Sequence, residues 1–132
     1  MEIKAINDLK KEKVRKILQE KVGIVKEENA ILTIYENLMQ IVWQRLLPTL
    51  GKFTVTTILK RSIEMSESKY PILTLIEIKD DLEFENLRFQ LKEEEHPNIS
   101  DAFNDLIVNL IEILASLTGE VIIQKLLEEM KK

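Results

Sequence analysis

Cysteine is absent from this chain of 132 residues, and that single absence removes disulfide scaffolds, thiolate nucleophiles and cysteine-ligated metal centres together. Histidine occurs once, as His96, so a multi-histidine metal site is excluded and a catalytic triad is not expected. Glycine and proline occur three times each, too rarely for a glycine-rich phosphate loop or for the many turns of a sheet protein. No run approaches the roughly 18 apolar residues of a spanning helix, and the isoleucines near Met1 are interleaved with lysines and acids rather than gathered into a signal-peptide core. The expected address is cytoplasmic, with no membrane partner.

What is present is apolar residues at 45% and charged residues at 32%, enough for one core and one wetted surface. The net charge of −4 gives no general attraction to nucleic acid. Its distribution is polar, however: residues 1–26 carry eight Lys/Arg against four Asp/Glu, and residues 80–95 carry seven acids against two bases.

Apolar periodicity predicts a first helix over about residues 3–21, with Ile3, Ile6, Val14, Ile17 and Leu18 on one stripe that Lys10 interrupts. The interruption allows this basic segment, 1–26, to be an arm on a bundle formed by 27–132. A second helix is predicted from Glu28 to Leu47, its apolar residues covering an arc of about 220° at 100° per residue. A surface helix needs little more than about 100°, so this one is expected at the centre. Gly51 ends it, and a third helix with Val55, Ile58, Leu59 and Ile63 inward runs to Ser66. Ile72–Ile78 is too short for pattern to separate strand from buried helix. Phe84, Leu87, Phe89 and Leu91 are read as the inward residues of a short helix, so the segment 72–91 stays open. A fifth helix, capped by Asn98 or Ser100, carries another wide arc from Ala102 to Leu117. A sixth, about Glu120–Met130, follows Gly119.

Shifted by 68 residues without a gap, the chain pairs Tyr35 with Phe103, Leu38 with Leu106, Val42 with Leu110, Leu46 with Leu114, Gly51 with Gly119 and Val55 with Ile123. Helical periodicity alone aligns apolar positions, but it does not align the two glycines. The expected fold class is therefore all-α, a helical bundle of five to six helices built from two αα-hairpins about a pseudo-two-fold axis. Leu38, Val42, Leu106 and Leu110 are expected at its core, and both glycines at positive φ.

Little here carries chemistry. His96 follows three glutamates and precedes Pro97, which reads as a solvated loop. The acids near residue 80 lack the glycine and register of a calcium loop. Arg45, within the second helix's apolar arc, would demand a carboxylate if buried, and otherwise serves the last helical turn. No catalytic, cofactor or metal residue is assigned. Lys10, Lys13 and Lys16 are the candidate basic contacts, and Asp80, Asp81, Glu83 and Glu85 the acidic ones, expected to dock within the chain or across a homodimer. Ile6 and Ile17 would supply apolar contact there, and, where the docking is across a dimer, removing residues 1–22 would leave a folded monomer.

The Leu47-Pro48-Thr49-Leu50-Gly51 turn, the Tyr70-Pro71-Ile72-Leu73 step and Leu117-Thr118-Gly119-Glu120 resemble small helical domains of unknown function in archaea and bacteria, some beside signalling modules. The resemblance implies a regulatory or interaction role. The reading is a non-enzymatic protein-protein interaction or regulatory module that associates with itself. The alternatives are a nucleic-acid-binding protein using the basic first helix and a bundle holding an apolar ligand.

Overall fold

The computed structural model describes the backbone of residues 2–132 and the side chains of residues 11–132. Six helices make the chain an all-α bundle: α1 (Glu2–Val22), α2 (Glu28–Leu50), α3 (Lys52–Glu67), α4 (Glu85–Glu93), α5 (Ile99–Thr118) and α6 (Glu120–Lys131). No helix among the described residues is long and apolar enough to cross a membrane.

α2 and α5 are the wide-arc helices, and they bury the most side chains. Leu38, Val42, Leu106 and Leu110 are all at most 3% exposed and share one core cluster. α2 begins where the Glu27 carboxylate accepts from the backbone N–H groups of Asn29 and Ala30 at 3.0 and 2.7 Å, satisfying donors that the first turn leaves without partners. It passes through Pro48 and ends at Leu50 rather than at Leu47.

The repeat is present in space. Tyr35 stacks on Phe103, its equivalent, with ring centroids 4.9 Å apart and planes 11° from parallel. Glu28 accepts from the backbone N–H of His96, again 68 residues on, at 3.0 Å. Equivalent positions that meet each other lie on the axis relating them. Two such meetings, one beside the other along both helices, require α2 and α5 to run in the same direction. The flanking helices obey the same rule. Asn109 of α5 donates to Ser66 of α3 at 2.9 Å, while Arg45 of α2 meets Glu129 of α6 at 2.9 Å. Shifted by one repeat, the second contact falls on positions 113 and 61, in nearly the antiparallel register of the first. Thus α3 lies against α5 and α6 against α2, on opposite flanks of the central pair. The symmetry is approximate, since the longer α3 packs on α5 more extensively than α6 does on α2.

Two expectations change here. Val14, Ile17 and Leu18 are buried in the common core, and α1 packs on α5, α6 and α2, so from Val14 onward this segment is a wall of the bundle rather than an arm. α4 packs on α2 and α1 on α5, so one further helix flanks each αα-hairpin, although α1 shifted by 68 residues falls on 70–90 and overlaps α4 only from Glu85 on. The open segment 72–91 is divided three ways: a 3₁₀ turn over Pro71–Leu75, an antiparallel pair of two-residue strands, β1 (Glu77–Ile78) and β2 (Leu82–Glu83), and then α4. Gln40 of α2 anchors this hairpin by donating to the Leu82 carbonyl at 3.0 Å.

Candidate interaction surface

Leu87 and Leu91 of α4 point inward, and Phe84 just before it is buried as well, but Phe89 is exposed. A nine-residue helix with a narrow buried stripe has no room for it. Leu117, assigned to the apolar arc of α5, is also exposed. It lies in the last turn of α5. Asn98 stands at the N-cap of α5 without a side-chain cap bond, and Ser100 lies inside the helix with its hydroxyl hydrogen-bonded to the Tyr35 phenol at 3.0 Å.

The candidate charges fall as follows. Lys13 and Lys16 are exposed, and the side chain of Lys10 lies outside the described residues. Nearby, Lys11 pairs with Glu112 of α5 at 3.4 Å and Arg15 with Glu12 of its own helix at 3.6 Å. Asp80, Asp81 and Glu85 are exposed and Glu83 is half-buried. Asp80 meets Lys52 at 2.5 Å, and this ammonium holds its carboxyl below the usual carboxylate range. Lys79 meets Glu77 at 3.0 Å and Glu83 at 4.0 Å, and the Glu77 hydrogen bond raises its pKa. The ion pairs of each segment thus run to other partners. Ile17, expected to cover apolar surface beside the acidic segment, is buried in the core cluster of the bundle.

Arg45 is exposed, and its guanidinium pairs with Glu129 rather than with helix-end carbonyls. His96 is not the solvated loop residue expected. Its side chain is only 23% exposed and lies 4.0 Å from Glu94, in the wall of a shallow hollow of about 380 Å³ with Tyr70, Gln90 and Asn98. A second hollow of about 290 Å³ lies between α1 and α5, lined by Arg15, Asp101 and Asp105. Among the described residues no group of three or more His, Cys, Asp or Glu is placed to hold a metal.

The surface feature that sequence reasoning passed over is on α3 and α6. Phe53 is 86% exposed and Val121 is 68% exposed. They are equivalent positions of the repeat, each two residues past a break glycine. From each, an exposed stripe runs down the outer flank at helical spacing: Phe53, Thr57, Lys60 and Glu64 on α3, and Val121, Lys125, Glu128 and Lys132 on and just past α6. The 68-residue alignment already paired Phe53 with Val121. What it did not disclose was that both point outward.

Comparison with protein-family models, with curated proteins and with solved structures finds no match to this chain.

Proposed function

We propose that the chain is a non-enzymatic helical module that acts by binding protein, its own copies included. The observation that carries this reading is the pair Phe53 and Val121, large apolar side chains held in water at the same position of both halves. Single exposed apolar residues are ordinary. Two at equivalent positions, each heading an exposed stripe on the outer flank of the bundle, are what a repeated docking element looks like. Exposing them favours any state in which they are covered.

The test is the solution mass of the chain over a wide concentration range, compared with that of a Phe53→Ser, Val121→Ser double variant. Both side chains are outside the core, so the variant is expected to keep its helical content and its unfolding midpoint. The wild-type chain should associate, and the variant should not. A chain that is monomeric throughout, with the variant indistinguishable from it, would refute the reading.

A further inference from the structure

The two outer stripes are opposite in charge at equivalent positions. Lys60 of α3 corresponds to Glu128 on α6, and Glu64 to Lys132, while Phe53 corresponds to Val121. All of them are exposed. Lys60 and Glu128 have no ion-pair partner within the chain among the described residues, while Glu64 and Lys132 each have only a helical neighbour, Arg61 at 3.6 Å and Glu129 at 3.5 Å. The pseudo-two-fold axis runs along α2 and α5, so it sets α3 and α6 parallel, at the same height, on opposite flanks facing away from each other.

Those relations define a docking geometry. A second copy displaced sideways, without inversion, brings its α6 stripe against the α3 stripe of the first. Equal height then places Phe53 against Val121 of the next copy, Lys60 against its Glu128, and Glu64 against its Lys132. An apolar contact and two opposite-charge contacts coincide in a single register. Reversing α6 over the same span sets Lys60 against Lys125, and docking α3 on α3 in the same direction sets Lys60 on Lys60 and Glu64 on Glu64.

Building on the self-association proposed above, we infer that the partner at this surface is a second copy of the chain, bound head to tail with the α3 flank of one copy on the α6 flank of the next. Such a contact joins two different surfaces, so it leaves a free α3 flank at one end and a free α6 flank at the other. It therefore extends into an open row instead of closing as a dimer. Each contact is narrow and mostly rim-like, which makes association weak, concentration-dependent and sensitive to salt.

Sedimentation velocity on the full chain distinguishes this from other modes. The average mass should rise past two copies with concentration and fall when salt is raised. Lys60→Glu and Glu128→Lys, each at an exposed position, should each weaken association by about 3- to 10-fold, and the two combined in one chain should restore it. Phe53→Asp blocks one flank and Val121→Asp the other. Each alone should stay monomeric, yet an equimolar mixture should form a one-to-one pair and nothing larger. A discrete wild-type dimer that never exceeds two copies, or charge swaps without effect on an associating chain, would overturn the head-to-tail register while leaving self-association standing. A monomer at every concentration would remove both.

Discussion

Tyr35 shows how much one side chain settles. It is fully buried, stacks on its repeat equivalent, and places its hydroxyl on Ser100 with Asn104 Oδ1 at 3.4 Å. Burial raises the phenol's pKa, with the Ser100 hydrogen bond acting in the opposite direction. A phenol whose pKa is higher folded than unfolded contributes stability that is complete below the unfolded value, about 10, and is lost as pH rises through the folded value. Tyr35→Phe should cost about 1 kcal/mol at neutral pH, for the hydrogen bond, and should flatten the alkaline loss of stability. Urea midpoints for both chains at neutral pH and at about pH 10.5 check this; parallel losses would refute it. Asp80 shows the opposite sign: its stabilising contact with Lys52 is present above the ordinary carboxylate range and is lost as pH falls through its lowered pKa.

The break between helices is the informative element. Gly51 has φ 85 and ψ 158, and Gly119 has φ 82 and ψ −171, a region occupied almost solely by glycine. Each donates its N–H back into the preceding helix, to Leu47 at 2.9 Å and to Ala115 at 3.3 Å, and each starts the next helix. Beyond the adjacent residues, no atom lies within 4 Å of where a Cβ would stand at either site, so the obstacle to alanine is backbone conformation and not crowding. Gly51→Ala and Gly119→Ala should each cost about 1–3 kcal/mol, by similar amounts because the two conformations match, as measured by denaturant unfolding. Widely different costs would count against the equivalence of the halves. These glycines were legible in the sequence because a breaker between two periodic runs has few other readings. The 3₁₀ turn and hairpin of 71–83 were not, since the five apolar residues among positions 72–78 are too short a run to show a period, and the cover supplied by α3 and α4 on the turn and by α2 on the hairpin decides their form.

At the scale of the molecule, the halves are interlocked: α1 and α3 of the first half pack on α5 of the second, and α4 and α6 of the second pack on α2 of the first. Removing residues 1–22 takes Val14, Ile17 and Leu18 out of the core and bares α5 beneath them. The truncated chain should therefore lose its cooperative unfolding transition, contrary to what an arm would allow, and circular dichroism during denaturation reads this directly. Leu106→Ala, at the centre of the cluster, should cost about 2–5 kcal/mol, measured in the same way. A truncated chain as stable as the full one would show that α1 is dispensable.

Composition and periodicity by themselves determined the helices, the two central members, the break glycines and most of the core, because burial of an apolar arc and the tolerance of positive φ are local properties that leave their mark on every turn. Tertiary structure alone decided which apolar residues stay exposed. Phe53, Phe89, Leu117 and Val121 are apolar like their buried neighbours, and only the ends and flanks of the packed helices leave them uncovered. It also decided where each charge goes, since Lys11, Arg45 and Lys52 find partners from 28 to 101 residues away. Coulomb attraction acts through space, and the spacing of charges along the chain says little about which of them the fold brings together.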